Sequence, residues 1–345
     1  DDHYTPSVVR YQAALHPVFY IFLYIFICII LIILLIIIVN IYMLMIKNLI
    51  NMKFIYIATF FLITSNLSAN DVDISTTSGI SKGFLINGVI NWDDIPYAQP
   101  PIGDLRWKAP RHILKKNILI EPKDNNFCIQ KPSGMGGSDF NGDEFFSGSE
   151  DCLYLDIKAP LVKSNDLLPV MFWIHGGGNT SGLKDIYDFS KMVKKHDVIV
   201  VTINYRLGPF GWFTHPSIQS LQNDDDKSSN FGTLDIIAAL EWVKSNISLF
   251  GGNPDNVTIF GESAGGHNVF SLLASKKAKG LFHKAISQSG YTTSISIQKA
   301  YRQDKTSPTS EHTSWKIVDK VLEKAKLPSQ NDLSNIEIRK NLKEL

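Results

Sequence analysis

The chain has 345 residues, a length that accommodates one large domain or two ordinary ones. Its formal net charge is +1 and 19% of its residues are charged, so the charge balance does not favour a nucleic-acid partner. The cysteines and histidines do not have the spacing of a zinc site, and neither a metal ion nor another cofactor is expected.

The N-terminal part of the chain is unusually apolar. An uncharged run from Val18 to Val39 is long enough for a transmembrane helix. From Met52 the sequence has a short basic start, then an apolar stretch, and then small residues up to Ala69. This is the pattern of a secretory signal peptide that is cleaved after Ala69. We predict an apolar leader over 1–51, a signal peptide over 52–69 and one domain over 70–345.

The leader has two interpretations, which the sequence leaves open. Its residues are largely those with AT-rich codons, so it fits translated upstream non-coding DNA, with Met52 as the true start. It also fits a membrane anchor formed by the run from Val18 to Val39. The first interpretation predicts a secreted or periplasmic protein, and the second predicts a membrane-anchored protein.

Short strands broken by glycine and proline are predicted from Asp71 to Pro110. Two cysteines follow outside the leader, Cys128 and Cys152, and an isolated pair in an exported protein is more typical of a disulfide than of a metal or redox site. The glycine-rich and acidic segment from Gly134 to Glu150 predicts a surface loop between them.

The next elements alternate between strands and helices. Leu153–Ile157, Leu168–Ile174 and Val198–Asn204 have the alternation or the apolar runs of strands. Leu234 to Leu249 carries apolar residues at helical spacing, so one face of this helix should pack on the sheet. A strand from Lys284 to Ser289 and a helix from Trp315 to Ala325 follow. This order predicts an α/β fold with a mostly parallel central sheet and helices on both faces.

A glycine-rich segment follows the second of these strands. His175-Gly-Gly-Gly178 exposes backbone N–H groups that can approach a carbonyl oxygen without obstruction by side chains. It has the form of the HGGG-type loop that lies beside the nucleophile in esterases and lipases.

A second motif lies further along the chain. The strand Val257–Phe260 feeds Gly261-Glu-Ser-Ala-Gly265, and a helix is predicted from Ala264 to Ser275. G-x-S-x-G between a strand and a helix is a nucleophile elbow, in which the serine occupies a strained turn. Ser263 is therefore the candidate nucleophile, and the Ala264 N–H at the helix start is a candidate oxyanion donor.

With these motifs in view, the chain resembles the type B carboxylesterases, the α/β hydrolases that include the cholinesterases. The similarity extends from about Gly79 to Leu345 and includes further ordered blocks. These are Ile95-Pro-Tyr-Ala98, Ser149 to Leu155, Asn204 to Gly208, Ala238 to Val243, Phe250 to Asn256 and Ser287 to Gly290.

The resemblance implies an α/β-hydrolase fold and roles for particular residues. It implies that Ser263 forms an acyl-enzyme and that Gly177, Gly178 and Ala264 supply the oxyanion hole. It also implies a disulfide between Cys128 and Cys152. Two ion pairs are implied as well, Arg106–Glu150 and Arg206–Asp235.

Two departures from the family pattern bear on function. Cholinesterases hold a cationic head group on a tryptophan inside the first disulfide loop, whereas the segment from Cys128 to Cys152 has no tryptophan. A general small-molecule carboxylic ester is therefore the expected substrate.

The second departure concerns the catalytic triad. In this family the triad acid and histidine lie far downstream of the serine. The histidines after Ser263 are His267, His283 and His312, and none of them follows a terminal strand.

The absence of a histidine in the family position predicts that the chain is a C-terminally truncated and inactive fragment of a serine carboxylesterase. The alternative is a non-catalytic adhesion or binding protein of the same fold, because a fold by itself does not specify a function. Such relatives usually lack the serine, so the intact context of Ser263 favours an enzyme lineage. A membrane partner is expected only if the run from Val18 to Val39 is a real anchor.

Overall fold

The computed structural model describes residues 30–36, 72–114, 117–123, 126–137, 146–161, 166–302 and 312–344. The chain divides into two units, Asp1–Asp71 and Val72–Leu345. In the first unit, residues 30–36 are helical and their side chains are exposed. The predicted signal peptide and its cleavage site lie outside the described residues, as does the rest of the leader. Of the helices in the described ranges, none has the length and apolar character needed to cross a membrane.

A seven-stranded sheet forms the centre of the second unit, with the strand order β3-β4-β5-β7-β6-β8-β9. Its strands are β3 (Phe84–Ile86), β4 (Val89–Pro96), β5 (Tyr154–Pro160), β6 (Leu168–Ile174), β7 (Ile199–Ile203), β8 (Gly252–Glu262) and β9 (Lys284–Gln288). A separate antiparallel pair, β1 (Ile74–Thr76) and β2 (Gly79–Ser81), precedes them.

The strands β7, β6, β8 and β9 are mutually parallel, whereas β3, β4 and β5 join the sheet through antiparallel pairings. Because β5 is antiparallel to β7 and β4 is antiparallel to β5, β4 points the same way as the parallel group. Only β3 and β5 run in the opposite direction. The prediction of a mostly parallel sheet is confirmed, with an antiparallel extension at one edge.

The helices of this unit include elements on both faces of the sheet. They are α1 (Ser190–His196), α2 (Gly208–Gly211), α3 (Pro216–Gln219), α4 (Phe231–Asn246), α5 (Ala264–Ala274), α6 (Ile297–Tyr301), α7 (Ser314–Lys324) and α8 (Asn335–Glu344). Val193 of α1 packs with Val200 of β7, whereas α4 and α5 pack with Val201, the next residue of the same strand. Successive residues of a strand face opposite sides of a sheet, so α1 lies on one face and α4 and α5 lie on the other.

The helix α4 differs from its prediction. The sequence pattern predicted one apolar face, but apolar side chains are buried around most of the circumference, including Ile237, Ala238 and Trp242 in addition to the predicted face. A helix that is apolar all round is typical of a protein core. The predicted range of 234–249 also divides into α4 and a separate 3-10 turn, Ile247–Phe250.

The disulfide and both ion pairs implied by the family resemblance are present. Cys128 and Cys152 are bonded across 24 positions of sequence. Arg206 Nη2 lies 2.7 Å from Asp235 Oδ1, and both side chains are buried. Arg106 Nε lies 2.7 Å from Glu150 Oε2. Part of the predicted surface loop, 138–145, lies outside the described residues.

Candidate active site

Ser263 lies between the last residue of β8 and the first residue of α5. Its backbone has φ 54° and ψ −116°, an uncommon conformation for a residue with a side chain. The N–H donates to the carbonyl of Gln288 at 2.8 Å, and the carbonyl accepts from the His267 N–H at 2.9 Å. The strand β9 and the helix α5 therefore hold the strained turn. A backbone strain of about 1–3 kcal/mol persists only where the surrounding structure holds it in place.

The glycines on either side of Ser263 have no room for a side chain. A Cβ atom placed on Gly265 would lie 2.0 Å from the carbonyl oxygen of Ile174, the last residue of β6. A Cβ atom on Gly261 would lie 2.6 Å from the carbonyl carbon of Gly265. Glycine is required at both positions because β6, β8 and α5 approach one another closely there.

The glycine segment Gly176–Gly178 lies directly beside this turn. A Cβ atom on Gly176 would lie 3.4 Å from Cβ of Ser263 and 2.8 Å from the carbonyl oxygen of Glu262. The two segments meet because Ile174 of β6 pairs with Gly261 of β8 in parallel, which brings both carboxyl ends to one edge of the sheet. This is where open α/β sheets bind their ligands.

The predicted oxyanion donors occupy this edge from two sides. Gly177 and Gly178 have φ values of 93° and 63°, which glycine adopts readily. The Gly177 carbonyl accepts from the N–H groups of Thr180 and Ser181, both at 3.0 Å. Ala264 is the first residue of α5, where a backbone N–H has no partner within the helix. The oxyanion role of these residues remains a prediction.

The disulfide segment anchors the chain that follows the glycines. Gln130 lies two positions after Cys128 and is 2% exposed. Its Nε2 donates to the Gly182 carbonyl at 2.9 Å, and its Oε1 accepts from the Gly182 N–H at 2.8 Å. This pair of hydrogen bonds joins the disulfide segment to Gly182, which lies shortly after the glycine segment.

A buried ammonium group lies two residues further along. Lys184 Nζ is 2.8 Å from Asp156, 2.9 Å from Asp94 and 3.1 Å from Asp185. Burial opposes its charge, but the three carboxylates outweigh burial and raise the pKa of Lys184 well above its usual value. The ammonium group therefore stays charged and ties the loop to β4 and β5.

His175 begins the glycine segment but is not placed to act as a base. Its side chain is buried, and it stacks on Tyr205 with ring centroids 4.3 Å apart. Its Nδ1 lies 2.8 Å from the Gly176 carbonyl, so Nδ1 carries the proton. Burial lowers the pKa of His175 to about 4, which leaves the imidazole neutral at pH 7.

In the described part of the chain, no histidine side chain is hydrogen-bonded to the Ser263 hydroxyl. His267 Nδ1 lies 2.7 Å from the Tyr291 carbonyl, and His283 Nδ1 accepts from the Val257 N–H at 3.1 Å. The same ranges hold no group of three or more histidine, cysteine or acidic residues that could bind a metal ion. The described residues thus combine a strained serine with candidate oxyanion donors.

A polar network beside the glycines was not predicted. Asn268 Nδ2 donates to Asn179 Oδ1 at 2.9 Å, the Gly208 N–H donates to the Asn179 carbonyl at 2.7 Å, and Tyr205 Oη donates to the His175 carbonyl at 2.6 Å. The only signal in the sequence was that both asparagines lie near a motif along the chain. Asn179 follows the glycines, and Asn268 lies on the helix after Ser263.

Comparison with known proteins adds to this geometry. The carboxylesterase family profile matches residues 70–338. The para-nitrobenzyl esterase of Bacillus subtilis (strain 168) is 45% identical over 230 residues, which cover 66% of this chain and 45% of that protein. Carboxylesterase 1D of Rattus norvegicus is 43% identical over 211 residues, covering 57% of this chain and 35% of that protein.

Solved structures show the same fold. A para-nitrobenzyl esterase structure superposes with a TM-score of 0.60 at 38% identity, covering 78% of this chain and 52% of the other. The sheet and the strand–serine–helix turn are those of an α/β-hydrolase fold. The chain spans about half the length, or less, of the relatives it matches. The chain belongs to the carboxylesterase family.

Proposed function

We propose that this chain carries the nucleophile and the oxyanion hole of a serine hydrolase that cleaves carboxylic esters. The observation that carries the proposal is the strained turn at Ser263, which lies against the glycine segment at the carboxyl edge of the sheet. Membership of the carboxylesterase family supports the same reaction class.

The proposed reaction has two steps. In the first, Ser263 Oγ attacks the ester carbonyl carbon and its proton passes to a base, while the N–H groups of Gly177, Gly178 and Ala264 stabilise the oxyanion. The alcohol leaves with a proton as its C–O bond breaks. In the second step, water attacks the acyl-enzyme, releasing the acid and restoring Ser263. We assign the base and its orienting carboxylate to positions outside the described residues.

We propose uncharged small-molecule esters as substrates. The segment from Cys128 to Cys152 contains no tryptophan, the side chain that best binds a cationic head group. One of the relatives is named a para-nitrobenzyl esterase, and the para-nitrobenzyl group carries no net charge. The adhesion or binding protein remains the alternative, and no feature of the described residues favours it.

Hydrolysis of p-nitrophenyl butyrate tests the proposal. The protein as its gene encodes it should turn over this ester, and Ser263→Ala should lower kcat by about 10⁴-fold or more, because the nucleophile is lost. Ser271→Ala, on the helix α5 that follows Ser263, is the matched control. A folded full-length protein without Ser263-dependent turnover would contradict the proposal and favour the binding alternative.

We also propose that the 345-residue chain by itself is inactive, and the same assay tests this. We expect background hydrolysis only, because without an imidazole hydrogen-bonded to Ser263 the hydroxyl has no general base. Turnover that disappears in Ser263→Ala would overturn this expectation.

We also propose that the protein is exported. The pattern from Met52 to Ala69 supports a signal peptide, and the Cys128–Cys152 disulfide suits an oxidising compartment. N-terminal sequencing of the protein from its natural host should find Asn70 as the first residue. A mature chain that retains the run from Val18 to Val39 would instead support the membrane-anchored alternative.

A further inference from the structure

We propose that Asn268 and Asn179 are positioning residues that hold the glycine segment Gly176–Gly178 in register with the nucleophile helix. The inference rests on the proposed function, because it assigns these residues a part in aligning the two halves of the oxyanion hole. Neither residue is assigned a contact with the substrate.

The downstream end of the glycine segment is tied to α5 through a side-chain pair. Asn268 is 1% exposed, and its Nδ2 donates to Asn179 Oδ1 at 2.9 Å. Asn268 lies in the second turn of α5, whose first residue is Ala264. The bond therefore links the element that carries one candidate oxyanion donor to the loop that carries the other two.

The backbone of Asn179 is held in place independently. Its φ is 58°, in the left-handed region that asparagine tolerates better than most residues with a side chain. Its carbonyl accepts from the Gly208 N–H at 2.7 Å. With the main chain fixed at this point, the amide of Asn179 reaches Asn268 from a defined position.

The upstream end of the glycine segment is connected to the same asparagine pair through a tyrosine. Tyr205 is fully buried, and its hydroxyl donates to the His175 carbonyl at 2.6 Å. The same hydroxyl lies 3.4 Å from Asn179 Oδ1, the atom that accepts from Asn268. Burial raises the pKa of Tyr205, so the phenol remains protonated and able to donate. The Asn179–Asn268 pair thus lies beside the anchors on both sides of the glycines.

The glycine segment needs such anchors because it has no side chains of its own to pack. Glycine also loses more conformational freedom on ordering than any other residue. A donor misplaced by about 1 Å can cost about 10²-fold in rate. A side-chain pair that links α5 to the anchors at both ends of the segment can keep the Gly177 and Gly178 donors aligned with Ala264.

The experiment compares Asn268→Ala, Asn179→Gly and the double variant in the full-length protein. Glycine is chosen at 179 because it accepts the positive φ and removes only the side chain. With p-nitrophenyl butyrate and titrated active sites, each single variant should lower kcat about 10-fold to 100-fold and leave KM nearly unchanged. The double variant should lose no more than the worse single variant, since both act through one bond.

Hydrogen exchange supplies a readout that does not depend on turnover. Asn268→Ala should speed amide exchange over 175–181 and leave exchange in the strand β4 unchanged. Ser271→Ala is the matched control on α5, because among the described residues its hydroxyl bonds only within the helix, to the His267 carbonyl at 3.2 Å. This control should keep the wild-type kcat and exchange rates.

Two results would overturn the inference. One is a kcat per titrated site within about twofold of wild type in both single variants, with Ser263→Ala inactive. The other is losses that multiply in the double variant, which would mean that the two residues act independently. If Ser263→Ala keeps the wild-type activity, the proposed function itself fails, so the two failures are distinguishable. If Asn268→Ala does not fold, Asn179→Gly decides, because Asn179 is only partly buried.

Discussion

His175 is fully buried beside the glycine segment, where an imidazolium ion could not be solvated. Its ordinary pKa of 6.5 falls to about 4 in the folded protein because burial disfavours the charged form. Between these two values, the unfolded chain binds a proton at this residue and the folded chain does not. Stability from neutral His175 is therefore complete above about pH 6.5 and is lost as the pH falls towards 4.

Urea unfolding between pH 4 and pH 7.5 tests this linkage. His175 should lower the free energy of unfolding by up to about 3 kcal/mol as the pH falls from 6.5 to 4. His175→Asn keeps an N–H near the Nδ1 position but cannot titrate, so its curve should be flatter over that range. The second buried histidine with a lowered pKa, His215, is present in both proteins and cancels in the comparison. Parallel curves would contradict the prediction.

At the scale of elements, the active-site edge depends on segments that are distant along the chain. The disulfide segment bonds to Gly182 through Gln130, and Lys184 joins the same loop to β4 and β5. The loop that carries the glycines is thus supported by elements that precede it in sequence. A loss of structure in the disulfide segment should therefore reach the glycine loop.

The double variant Cys128→Ala with Cys152→Ala tests the contribution of the disulfide. Its closed loop spans 24 positions, so removing it should lower the free energy of unfolding by roughly 3 kcal/mol through the entropy of the unfolded chain. Urea unfolding of the double variant, compared with wild type under oxidising and reducing conditions, measures the change. Reduced wild type should match the variant, and a loss below about 1 kcal/mol would contradict the prediction.

At the scale of the whole molecule, the β9 end of the described sheet is an exposed edge. The strand β9 pairs only with β8 among the described residues, and Ile286 at its centre is 46% exposed. Phe270 and Leu273 of the neighbouring helix α5 are also exposed, at 38% and 55%. An unpaired strand edge beside apolar side chains is a surface that other β-strands can pair with.

Much of the core of the second unit was predictable because local sequence patterns determine it. The strands β6 and β7 are apolar runs, and α5 follows the elbow glycines, so their positions agree with the predictions to within about one or two residues. The helix α4 was predicted less well, since its burial on nearly all sides depends on elements that pack around it. The antiparallel extension through β3, β4 and β5 was likewise outside the reach of a periodicity argument.

The sequence by itself determined the elements and the identity of the motif residues. Glycines at 261 and 265, the serine between them and the glycines after His175 follow from backbone chemistry that acts over a few residues. Tertiary structure alone decided which distant groups meet. The Asn179–Asn268 bond spans 89 positions, and the Gln130–Gly182 bond spans 52. Such contacts form only after the strand order brings β6 and β8 side by side, because no local rule relates residues so far apart in the chain.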